Sequence, residues 1–114
     1  MDKEGNGVER GAGKPIMEMV REEISRRRLA ERISEIGFDP DEMVRFDSPS
    51  YDDAVVGVTN DGRLVYDYEL MAESLAKSDG ISIEDAIEFI DYNAIGSLAG
   101  GDAGMPVVLY KFRD

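Results

Sequence analysis

The stretch from Asp91 to Asp102 reads DYNAIGSLAGGD, a spacing that could do calcium chemistry. An EF-hand loop draws oxygens from the side chains at its first, third and fifth places and a carbonyl at the seventh, with a turn glycine at the sixth and a bidentate acid at the twelfth. Asp91, Asn93, Gly96 and Asp102 stand at the first, third, sixth and twelfth places. Ile95 fills the fifth and has no side-chain oxygen, and Asp102 is shorter than the usual Glu. Gly104, Pro106 and the pair Val107-Val108 follow where the exit helix of a calcium site should begin. The expectation is a helix end carrying Asp91 and Asn93, then a glycine-rich link to a strand.

Asp52-Asp53 is a second acidic pair. Adjacent acids at the start of a strand can hold Mg²⁺ when a third carboxylate, such as Asp91, joins them. More often such a pair serves as solvated turn formers in a loop. Arg26-Arg27-Arg28 reads either as a solvated helix face or as part of a contact with a partner. Tyr51, Tyr66, Tyr68, Tyr92 and Tyr110 suit a core edge, or a binding surface, because tyrosine is enriched at interfaces. Tyr51, Asp52, Asp53, Tyr92 and the three arginines are the candidate partner-binding residues. Two phosphate-loop patterns near the N-terminus fail: Val8 replaces the first P-loop glycine, and Arg10 the third glycine of a dinucleotide fingerprint.

Cysteine and histidine are both absent. Without imidazole or thiol, neither Ser-His-Asp nor Cys-His catalysis can be built within this chain, and neither can Cys-ligated zinc. No catalytic residue and no cofactor is assigned. The net charge of −12 is placed unevenly. Residues 1–38 hold eight acids and eight bases, whereas residues 39–114 hold seventeen acids against five bases. Such a surface repels nucleic-acid phosphates and anionic lipid while favouring basic partners. At 42% apolar and 33% charged, a chain of 114 residues has the composition of one soluble globular domain. No apolar run approaches the roughly 20 residues of a membrane span, and the N-terminus lacks the apolar stretch of a secretory signal. A cytoplasmic protein is expected.

These residues need elements to position them. Residues 1–14, polar and glycine-rich, read as a flexible arm. A helical segment follows over residues 15–45. Its long helix runs from Pro15 to Ile36, with Ile16, Val20 and Ile24 on one face and Leu29, Ile33 and Ile36 nearly opposite. Either the helix kinks at the arginines or its outer stripe meets a second surface, a partner or a second copy of the chain. Gly37-Phe38 marks its C-terminus, and Asp39-Pro40 starts a short helix ending near Arg45. FDSPSYDD reads as a surface loop. AVVGVT-NDG-RLVYDY reads as an antiparallel hairpin turning at Gly62, with its first strand central or covered on both faces. Asp67 caps a helix to about Lys77, Ser82 caps another through Ala94, and PVVLYKF forms a last strand. The compact core over residues 46–114 is thus α+β: a small three-stranded sheet of hairpin and C-terminal strand, with helices mainly on one face.

FDSPSYDDAVVGVTNDGRLVYDYELM, then DGISIEDAIEFIDYN and a closing PVVLY, resembles a group of small uncharacterised bacterial and mobile-element-associated proteins. The likeness covers roughly Phe46 to Tyr110. It implies a compact domain in the bacterial cytosol and carries no activity with it. Three functions stay open: an acidic protein–protein interaction module, a mobile-element inhibitor that blocks a nucleic-acid-binding defence enzyme, and a hydrolase using carboxylate-held Mg²⁺. The first has the strongest support from composition. Its partner would be a basic protein, with no direct nucleic-acid or membrane contact, and a homodimer could form through the N-terminal helix.

Overall fold

The computed structural model describes residues 16–99, 101 and 103–112. The expected arm over residues 1–14 and Asp102 lie outside these. Helix α1 spans Ile16–Glu35 without interruption, so the switch of apolar face at Arg26 to Arg28 is accommodated in one continuous helix. It ends as the sequence predicts. Gly37 takes φ +96°, Phe38 N–H donates to Ile33 O and Gly37 N–H to Ser34 O, the two bonds of a Schellman cap. Leu29 and Ile33 enter the buried cluster, whereas Ile16, Val20 and Ile24 remain exposed.

The short helix after Asp39 is a single 3₁₀ turn, Pro40–Glu42, capped by the Asp39 carboxylate and ending three residues before the expected Arg45. Strand β1 (Val55–Val58) and strand β2 (Leu64–Asp67) form the antiparallel hairpin, with Gly62 at φ +87° in its turn. Strand β3 (Val107–Leu109) pairs with β2 in parallel, so the sheet is mixed and ordered β1-β2-β3. This corrects the expectation for the first strand. β2 is central and β1 lies at an edge, where Val56 forms a bulge and stays exposed. The apolar run of β1 gave no hint of the bulge, which turns one valine outward.

Helix α2 (Tyr68–Asp79) begins directly from β2, its first turn capped by Asp67, whose Oδ1 accepts the Leu70 N–H at 3.0 Å. Gly80, at φ +67°, closes it. Ser82 caps helix α3 (Ile83–Phe89) by accepting the Asp85 N–H. The chain then continues helically through a π-helical stretch, Ile90–Ile95, and a last α-turn, Gly96–Leu98. Tyr66, Leu64, Met71, Ala86 and Ile90 are fully buried between sheet and helices, and Leu29 and Ile33 of α1 join the same cluster. The α+β architecture expected from the sequence is the one observed. Among the described residues no helix is long and apolar enough to cross a membrane.

Candidate functional site

Three departures from regular backbone meet at one cleft. The first is Tyr51, at φ 54° and ψ 28°, the one non-glycine residue with positive φ among those described. A bulky side chain in that left-handed region costs roughly 1–2 kcal/mol. It persists where the surroundings over-determine it, and here three rings do so. The Tyr51 ring meets Phe46 edge-on at 5.8 Å, and Phe46 tilts against Tyr66 at 4.8 Å. The Tyr66 hydroxyl, in turn, accepts the Phe46 N–H at 3.1 Å. The second departure is the cis peptide bond between Ser48 and Pro49 in the same loop.

The third is the π-helical stretch Ile90–Ile95, which forms the opposite wall. Ile90 and Ala94 anchor it in the core, while Asn93 Nδ2 donates to Phe89 O at 3.0 Å and Ser97 Oγ donates to Ala94 O at 2.8 Å. Wide helical turns of this kind recur at functional sites. Between the walls lies a cleft of about 160 Å³, with Asp47, Ser48, Pro49 and Tyr51 on one side and Asn93 and Ser97 on the other. Tyr51 and Asn93, separate candidates in the sequence, thus line one site.

FDSPSYDD is therefore not a plain surface loop. Tyr51 is 4% exposed and Asp52 8%, because the 3₁₀ turn Asp52–Ala54 folds both inward. Only Asp53 of the acidic pair remains exposed, and its carboxylate accepts a hydrogen bond from Ser25 Oγ on α1 at 3.3 Å. Asp52 Oδ1 is buried with no hydrogen-bond partner, as is the Tyr51 hydroxyl. Burial pushes the Asp52 carboxyl above its ordinary range, against the pull of Arg45 and Arg26. Burial also pushes the phenols of Tyr51 and Tyr66 up to about 12. Both tyrosines stay protonated at neutral pH and offer no base.

Of the arginines, Arg26 reaches Asp47 Oδ1 at 3.3 Å across the cleft's rim, with both side chains largely in solvent. Arg27 lies along the outer side of α1 with Glu31 and Ser34, and Arg28 is exposed. Asp91 faces away from the cleft's polar groups, since its Oδ1 accepts the Tyr68 hydroxyl at 2.6 Å. Tyr92 beside it is 85% exposed. Asp91 and Asn93 thus serve separate partners on a continuing helix. Among the described residues no three acidic side chains converge closely enough to hold a metal ion.

Sequence reasoning missed the left-handed Tyr51, the π-helical stretch, the ring stack of Tyr68 on Tyr110 at 4.6 Å, and the ion pair of Lys111 with Asp67. A proline within a run of loop formers is the one local signal that FDSPSY held. No protein-family model matches the chain, and no curated protein or solved structure is significantly similar to it.

Proposed function

We propose that the protein is a non-catalytic binding module for a basic protein partner, which places one lysine or arginine side chain in the cleft beside Asp47. The observation that carries this reading is the cleft's size and setting. At about 160 Å³ it lies well below the roughly 300–1,000 Å³ of small-molecule sites, yet it has room for a single side chain. It opens next to an exposed carboxylate on a chain of net charge −12, which favours and steers cationic partners.

Arg26 already neutralises Asp47, but an exposed pair of this kind is worth only ~0–1 kcal/mol. An incoming cation can displace the guanidinium at little cost. The rigid walls, pinned by the Phe46–Tyr51–Tyr66 rings and by Ile90 and Ala94, keep the opening preformed.

Comparative affinity capture tests the reading. Tagged wild-type protein, Asp47→Lys and the cleft-filling Ser97→Trp are exposed to native extract, with circular dichroism confirming that each variant is folded. The reading requires a basic protein retained by the wild type, released by salt and absent from both variants. A partner set identical across the three baits would sink it.

A further inference from the structure

The N-terminal half of α1 stands clear of the buried cluster. Ile16, Met17 and every residue from Met19 to Ile24 are exposed, and Leu29 is the first buried residue of the helix among those described. Ile16 is 77% exposed, with Val20 and Ile24 at 41% each. Side chains four apart on a helix are neighbours, so these three form one unbroken apolar ridge. A contiguous ridge of this kind marks a contact surface, because a helix draws most of its stability from packing its apolar face.

The C-terminal half of the same face has the complementary shape. Around the helix axis, Arg27, Glu31 and Ser34 lie within about 80° of Ile16, Val20 and Ile24, at 100° per residue. There Arg27, Ala30, Glu31, Ser34 and Glu35 line an open groove, in which Ala30 and Ser34 are the smallest side chains. Helices pack by seating a ridge that follows the four-residue rows in a groove of the facing helix. Ile16 and Val20 are four residues apart, and so are Ala30 and Ser34. An antiparallel second helix therefore sets Val20 over Ala30 and Ile16 over Ser34. The same register sets Glu23 against Arg27, and among the described residues neither has an ion-pair partner. Shape and charge thus agree on one alignment, with its twofold axis level with Ser25 and every contact made twice.

We infer that α1 pairs antiparallel with α1 of a second copy of this chain. The apolar ridge of each copy sits on the Ala30–Ser34 groove of the other, and Glu23 of one copy faces Arg27 of the other. A partner of different sequence would have to match ridge, groove and charge separately, whereas a second copy matches all three by symmetry. None of these residues lines the Asp47 cleft, so the inference stands apart from the preceding reading.

Sedimentation velocity of the 114-residue chain over a dilution series tests this, with circular dichroism confirming that each variant is folded. The wild type is expected to be a dimer that dissociates on dilution, and Val20→Lys a monomer throughout. Glu23→Arg and Arg27→Glu each set like charges across the interface and should weaken the dimer by roughly tenfold or more. Combining the two reversals should restore it. Because the chain has no cysteine, Val20→Cys protein mixed with Ala30→Cys protein reports the alignment. A short bis-maleimide should join the two different variants in preference to two copies of Val20→Cys. A monomer at every concentration overturns the inference. So does a dimer that Val20→Lys or either charge reversal leaves intact, or a double reversal no tighter than the single ones. Cross-links chiefly between copies of Val20→Cys would mean parallel helices and overturn it as well.

Discussion

Lys111 Nζ stands 3.0 Å from Oδ2 of the buried Asp67, whose Oδ1 accepts the Leu70 N–H at 3.0 Å. One carboxylate therefore ends β2, caps α2 and ties the chain beyond β3 back to the sheet. The two oxygens do separate work, and neither faces solvent. Their value differs, because the cap bond lies inside the fold while the lysine is largely exposed.

Asp67→Ala removes both interactions. Loss of an N-cap costs roughly 0.5–2 kcal/mol, and the pair with the largely exposed lysine adds less than the cap. Urea unfolding is expected to show a loss of about 1–2 kcal/mol. Lys111→Met, which leaves the cap bond intact, should cost less than Asp67→Ala. Equal losses for the two would mean that the ion pair, rather than the cap, dominates.

Asp67 and Asp52 are expected to act on stability in opposite pH directions. Burial alone would raise the Asp67 carboxyl, but the Leu70 N–H and Lys111 outweigh it and hold it below its ordinary range. Its contribution is full above the unfolded value of about 3.9 and is lost as pH falls through the lower folded value. Asp52 has its folded value raised, chiefly by burial. Its contribution is full below about 3.9 and is lost as pH rises through the folded value. Asp52→Asn should therefore stabilise the protein at pH 7 by about 1 kcal/mol, the lower end of the cost of a buried unsatisfied group. The advantage should vanish near pH 3. Urea midpoints at the two pH values decide it, and an Asn variant weaker than wild type at pH 7 would show that Asp52 is paired in solution.

Gly37→Ala isolates a backbone effect. A Cβ at Gly37 would meet nothing within 4 Å, while φ is +96°. The loss expected is about 1–2 kcal/mol from left-handed strain, with no change in the buried cluster. Thermal melts should show the same sign for Gly80→Ala, where φ is +67° and the surroundings are equally open. An unchanged melt for either would mean that the helix ends differently in solution.

The features legible in sequence are those set within a few residues. The Gly37-Phe38 cap, the Asp39, Asp67 and Ser82 caps and the Asn60-Asp61-Gly62 turn all satisfy backbone groups close along the chain. The site was less legible because its causes are distant. Tyr51 is held left-handed by Phe46, and Phe46 by a hydroxyl from Tyr66, twenty residues further on. The placement of β1 at an edge followed from the parallel pairing of β3 with β2, which no local pattern encodes. Asp91 is expected from the sequence on a helix end, but its partner Tyr68, on another helix, is set by no local pattern.

Helix α1 gives the sharpest test of how the chain divides inside from outside. At 100° per residue, Val20 and Leu29 point in nearly opposite directions, and only Leu29 is buried. Leu29→Ala should cost about 2–5 kcal/mol, as core truncations do. Val20→Lys and Ile24→Lys should leave the stability of the dilute monomer within about 0.5 kcal/mol of wild type. If a second copy of the chain covers the Ile16–Val20–Ile24 stripe, the wild-type melting temperature will rise with protein concentration. The two lysine variants should then abolish that rise while leaving the dilute value unchanged. A dilute-state loss for Ile24→Lys as large as that for Leu29→Ala would place the stripe against the chain's own core and overturn the assignment of its faces.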